Sequence, residues 1–115
     1  MVKVIWTAWS LKDLEEIGEY ISKDSSKYAK LTLEKLIEMA KLIEANRLIG
    51  RIVPEVGQND IRELITGNYR IIYQTKAKET AFILTVHHSS RLLSNNTVFK
   101  KKWGVFQTSE VYRRK

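Results

Sequence analysis

The chain has 115 residues, 43% of them hydrophobic and 29% charged, with a formal net charge of +7. That is room for one domain, since domains usually run about 100 to 150 residues, and it excludes a two-domain enzyme. The composition is globular rather than disordered or fibrous, and the absence of cysteine excludes a disulfide scaffold and a thiolate metal site.

Val2 to Trp6 is a β-branched and aromatic run that predicts a strand, after which Thr7 or Ser10 offers a hydroxyl to the start of a helix. Leu11, Leu14, Ile17 and Ile21 recur at helical spacing between charged neighbours, which predicts a first amphipathic helix. Asp24, Ser25 and Ser26 break that pattern and can cap a second helix, whose apolar positions Ala29, Leu33, Leu36, Ala40 and Ile43 keep the 3.6-residue period. The two predict an antiparallel hairpin. Gly50, Pro54 and Gly57 then mark an irregular connection. Ile61–Thr66 and Tyr69–Thr75 flank Gly67-Asn68, a dipeptide suited to a two-residue hairpin turn, and Thr80–His87 completes a meander. The expected class is α+β: an N-terminal strand, a helical hairpin and a three-stranded antiparallel meander in one curved sheet, with the helices on one face. The expected division is a domain over residues 1–93 and a basic C-terminal arm, extended or briefly helical, over 94–115.

No apolar run approaches the roughly 20 residues that span a bilayer, and the N-terminus reads as a strand, not a signal-peptide core. No membrane partner and a cytoplasmic location are therefore expected. The positive charge is uneven: residues 1–47 hold 8 basic and 8 acidic side chains, residues 48–90 hold 5 and 4, and residues 91–115 hold 7 and 1. A basic tail suits RNA, DNA or an acidic protein and does not choose among them.

The residues able to carry chemistry each have a structural reading. With Gly67-Asn68 as the turn, Ile65 faces Arg70 and Glu63 faces Ile72, so Arg70 lies diagonal to Glu63 on one sheet face and can pair with it. Arg62 falls on the opposite face near Tyr73, where its stem can lie on the ring with its head in water. His87 and His88 are strand neighbours that point to opposite faces, so they cannot chelate one ion together; no metal and no cofactor are expected. Glu55 and Arg51 suggest a surface ion pair. Lys100, Lys101 and Lys102, interleaved with Phe99, Trp103 and Phe106, suit nucleic acid or an acidic, partly disordered protein equally.

Taken in order, Trp6-Thr7, Asp13-Leu14, Tyr20-Ile21, Gly50-Arg51-Ile52-Val53-Pro54-Glu55, Ile61-Arg62-Glu63-Leu64, Asn68-Tyr69-Arg70-Ile71-Ile72-Tyr73 and Val86-His87-His88-Ser89-Ser90-Arg91 resemble the RelE/ParE family of toxins from bacterial type II toxin-antitoxin pairs. The resemblance spans about residues 4 to 93. It implies a growth-inhibiting toxin neutralised by a cognate antitoxin, with two helices on a curved antiparallel sheet.

The family divides by target. RelE-like members cut mRNA on the ribosome with a basic, proton-transferring cluster, whereas ParE-like members, the plasmid-stabilisation branch, poison DNA gyrase without it. Here only Arg70 matches a RelE-like catalytic arginine. The two lysines of the preceding strand align with Ile61 and Glu63, and the basic residue after the last strand aligns with Ser89. Glutamate in place of lysine repels phosphate. His88-Ser89-Ser90-Arg91 instead fits the H-x-x-R ending of ParE-like toxins. The reading favoured is a non-catalytic gyrase inhibitor that meets its target or antitoxin through Arg62, Glu63, Arg70, His88, Arg91 and Lys100 to Lys102. The alternative is a ribosome-dependent mRNA endonuclease using Arg70, His88 and Arg91.

Overall fold

The computed structural model describes residues 1–102. Strand β1 (Lys3–Trp6) leads into helices α1 (Ala8–Ser22) and α2 (Ser26–Ala45), then β2 (Arg51–Ile52), β3 (Ile61–Thr66), β4 (Tyr69–Lys76) and β5 (Thr80–His88). A 3₁₀ turn at Leu93–Asn95 and a short helix α3 (Thr97–Lys102) follow. Among the described residues no helix is long and apolar enough to cross a membrane.

Both helix starts follow from hydroxyl caps. Thr7 accepts the Ser10 N–H at 3.2 Å, and Ser25 accepts the Tyr28 N–H at 3.0 Å. Thr7 also ties the helix to the sheet, its hydroxyl donating to the Ile83 carbonyl at 2.6 Å. Ala29, Leu36, Ala40 and Ile43 of α2 are buried, as their spacing predicts. On α1 the buried position is Ser10, while Leu11 is exposed. The expected stripe thus starts later, at Leu14 and Ile17, which pack on the core.

The sheet is curved, unclosed and mixed, in the order β1-β5-β4-β3-β2. Two features correct the antiparallel expectation. β1 lies parallel to β5, pairing Lys3 with Thr80 and Trp6 with Ile83, and the two-residue β2 extends the far edge against β3. A parallel pairing between chain ends has no local signature, and a two-residue edge strand has no period to read. The β3–β4 hairpin has the anticipated register, with Glu63 opposite Ile72 and Ile65 opposite Arg70. Its turn puts positive φ on Gly67 alone, at +57°, the demand of a II′ turn on its first central residue. A bulge at Ile72/Tyr73 then shifts the β4–β5 pairing.

Each face of the sheet carries its own core. One joins α1 and α2 to Leu64, Ile71, Tyr73, Ala81, Ile83 and Val86. The other, on the opposite face, gathers Ile61, Ile72 and Leu84 under Val53 from the β2–β3 loop and Leu93, Val98 and Phe99 from the C-terminal segment. The helical hairpin therefore covers one face, and residues 93–99 with the β2–β3 loop cover the other. Gly50, in the connection between α2 and β2, marks a close approach of the chain to the sheet: a Cβ there would lie 2.6 Å from the Glu63 carbonyl oxygen and 2.9 Å from the Tyr73 hydroxyl. The same hydroxyl accepts the Gly50 N–H and donates to the Arg47 carbonyl, both at 2.9 Å.

Candidate functional site

The hairpin register brings four charged residues together on the second face. Arg70 donates through Nε to Glu63 Oε1 at 2.6 Å, and through both terminal nitrogens to Glu55 at 2.8 and 2.7 Å. Arg51, directly opposite Glu63 on β2, donates to its other oxygen at 2.7 Å. The Glu63 side chain is 0% exposed, against 59% for Arg51 and 38% for Glu55. The expected Arg70–Glu63 pair is thus present, but Glu55 binds Arg70, not Arg51. Strand pairing gives Arg51 to Glu63 and leaves the Glu55 loop to close over the fork of Arg70. That bidentate contact, first among its causes, holds the Glu55 carboxyl below its ordinary value of 4.5 and pushes the Arg70 guanidinium further up.

This arrangement bears on phosphate chemistry. Signs alternate from Arg51 through Glu63 and Arg70 to Glu55, so the local charge cancels. A guanidinium gripped by two carboxylates has no open fork for a phosphodiester, and an incoming phosphate would meet the negative charge of Glu55 and Glu63.

The other residues singled out in the sequence lie elsewhere. Arg70 stands opposite His87 and Tyr69 opposite His88, so His88 occupies the helix-bearing face, across the sheet from Arg70. The His88 ring meets Tyr69 edge-on at 5.3 Å and accepts the Ser90 N–H at 3.2 Å. Arg62, opposite Tyr73, clamps two loops: it donates to the Gly50 carbonyl at 2.8 Å and to the Asn59 carbonyl at 2.9 Å. Lys100, Lys101 and Lys102 form the end of α3, and their side chains lie outside the described residues, as do Trp103 and Phe106. Arg70, His88 and Arg91 do not converge on one point. Among the described residues no three His, Asp or Glu side chains gather as a metal site.

His88 and Arg91 do meet, with residues that periodicity did not single out. They border an open cleft of about 860 Å³ between α1 and the end of β5, with Trp9, Tyr20, Tyr69 and Leu92. Tyr69 also borders a second groove of about 280 Å³, formed by Tyr28, Leu31 and Lys35 of α2 against the hairpin turn. It is the ridge shared by both. Burial raises the Tyr69 hydroxyl above its usual range, and Tyr28 and Tyr20 lie near enough to add to the effect. Tyr20, Tyr28, Leu31 and Leu92 are 72%, 61%, 52% and 69% exposed. The signal for this surface is in the sequence as large apolar side chains off the buried stripes of α1 and α2. Exposed aromatic and aliphatic groups beside Arg91 and Lys35 form the kind of surface that docks protein.

Asp13 gives the cleft a polar wall. Asp13 of α1 accepts from the Thr85 hydroxyl at 2.5 Å and from the Val86 N–H at 2.9 Å, supplying a partner to β5 beyond the end of β1. Burial outweighs both bonds and raises the Asp13 carboxyl above its ordinary value.

Comparison with known proteins agrees with this architecture. Residues 4–93 match the family model described as the ParE toxin of the type II toxin-antitoxin system, parDE. A solved structure titled "Chromosomal ParDE TA system from P. aeruginosa" superposes with a TM-score of 0.63 at 20% identity, covering 76% of this chain and 96% of that one. Comparison with curated proteins gives no match. With the family model spanning most of the chain and the same fold in the superposed structure, this protein belongs to the ParE toxin family of type II toxin-antitoxin systems.

Proposed function

We propose that this ParE-type toxin arrests growth in the cytoplasm as a binding inhibitor of DNA gyrase, with no bond-breaking chemistry of its own, and that a cognate antitoxin neutralises it. The observation that carries the reading is the state of Arg70. Its fork is filled by Glu55 and Glu63, and the sheet separates it from His88. Cleavage at a ribose 2′-OH needs a base, a cation and an acid converging on one phosphodiester, and those residues do not supply such a point. The aromatic surface around Tyr69, with His88 and Arg91, is in this reading the contact for protein partners, where a few desolvated aromatic and arginine side chains give most of the affinity.

Two assays run side by side test it. The purified toxin is expected to inhibit supercoiling by gyrase, with the antitoxin relieving that inhibition, and to leave translated mRNA intact on primer extension. Ribosome-dependent cuts with normal supercoiling would overturn the reading and leave the endonuclease in its place.

A further inference from the structure

One buried histidine stands outside the charged quartet, on the border of the main cleft. His87 is 5% exposed and is held by two bonds of fixed sense. Its Nε2 lies 2.9 Å from the Arg91 carbonyl, which can only accept, so Nε2 carries the hydrogen. Its Nδ1 lies 3.0 Å from the side-chain nitrogen of Asn96, which can only donate, so Nδ1 presents a lone pair. Asn96 cannot reverse this by turning its amide. Its oxygen accepts the Val98 N–H at 2.9 Å, and its nitrogen also donates to the Thr85 hydroxyl oxygen at 3.0 Å, whose own hydrogen goes to Asp13. The network therefore has one consistent set of proton positions, and it requires a neutral imidazole.

Asn96 sits between Leu93 and the pair Val98 and Phe99, all buried on the second face of the sheet. Its side-chain hydrogen bonds to β5 go to His87 and Thr85, so the hydrogen bonds that fix the histidine tautomer also help to hold this segment, together with the burial of Leu93, Val98 and Phe99. We propose that His87 and Asn96 form an acid-released latch: a proton taken up at His87 Nδ1 faces the Asn96 amide donor, breaks that bond and frees residues 93–99 from the sheet while the rest of the fold stays closed. Leu92, Asn95, Asn96, Thr97 and Val98 also border the main cleft. Release would therefore uncover Ile72 and Leu84 and reshape the cleft together.

Groups from every packed element face the imidazole. Asp13 on α1 and Glu55 in the β2–β3 loop favour its cation, Arg70 on β4 disfavours it, and the Arg91 carbonyl favours the protonated ring. Burial is the largest influence and lowers the pKa from the ordinary 6.5. The unfolded or released segment thus binds the proton more readily than the latched one, so closure is complete above about pH 6.5 and is lost as pH falls below it.

The test is amide hydrogen exchange on the full chain at about pH 7.5 and about pH 5.5, with rates corrected for the intrinsic pH dependence. Protection of Asn96 to Phe99 is expected to fall by up to about tenfold at the lower pH, because that pH lies about one unit below the ordinary imidazole value of 6.5 at which a released ring takes up its proton, while β4 stays protected. In His87→Gln the two pH values should give equal protection, and His88→Gln should behave as wild type. Unchanged protection in wild type, an equal fall in His87→Gln, or loss of the effect in His88→Gln would overturn the latch. Should His87→Gln fail to fold, ring nitrogen shifts in wild type decide: the opening midpoint must coincide with the titration of His87, and a mismatch refutes the proposal.

Discussion

Truncating Glu63 to alanine removes the only fully buried member of the charged quartet and leaves Arg70, whose side chain is 9% exposed, with half of its partners gone. Breaking a buried pair from one side costs about 3 to 5 kcal/mol, because the remaining charge keeps its desolvation cost without its attraction. Here Glu55 still grips the other two nitrogens of Arg70. The loss should therefore fall at the lower end, about 3 kcal/mol, or about 10 °C in Tm for a domain of this size. Arg51→Ala removes a partner of the same carboxylate, but its side chain is 59% exposed, so its cost should stay below about 1 kcal/mol. Thermal melts followed by far-UV circular dichroism, supported by urea titrations, give both numbers. A third variant probes the cause: Glu63→Leu combined with Arg70→Met discards both charges and should recover most of the stability lost by Glu63→Ala. Equal losses for Glu63→Ala and Arg51→Ala, or a double variant no more stable than Glu63→Ala, would refute the idea that an uncompensated buried charge dominates.

Gly50→Ala forces a Cβ against the Glu63 backbone and the Tyr73 ring, and should cost about 1 to 3 kcal/mol in a urea titration; a neutral result would mean that the loop shifts freely. Ala77 adopts a φ of +55° in the β4–β5 turn, so Ala77→Gly should raise stability by up to about 1 kcal/mol by relieving left-handed strain, read as a higher urea midpoint. Glu55 has its carboxyl lowered from 4.5 in the fold, so its contribution is present above that pH and fades as pH falls below it. Glu55→Gln should accordingly flatten the acid side of the stability curve, and an unchanged slope would count against the Arg70 contact. Tyr69→Ala and Arg91→Ala should each weaken antitoxin binding or toxicity by about tenfold or more in calorimetry or growth assays. Because His87 is bonded to the backbone of Arg91 and not to its side chain, Arg91→Ala should keep the wild-type Tm.

Much of the fold was legible because its signals are local. The hydroxyls of Thr7 and Ser25 start the helices, the α2 stripe buries where its period says, and Gly67-Asn68 sets a register that places Arg70 beside Glu63. What escaped depends on partners distant in sequence. Nothing near Lys3 encodes a neighbour at Thr80, and nothing near Glu55 reveals that its loop folds back over Arg70. The aromatic surface escaped for a different reason. Periodicity finds what is buried, whereas Tyr20, Tyr28 and Leu92 matter by being left out.

The parallel pairing of β1 with β5 also sets an order of events during synthesis. The first strand leaves the ribosome long before its neighbour exists, and the helical hairpin must wait without a sheet to rest on until β3, β4 and β5 have been made. Such distant closure is slow compared with helix formation. A truncated product lacking β5 would carry an unpaired β1 and an incomplete first core, so an aborted copy would expose a bare strand edge and apolar surface and be ready for proteolysis.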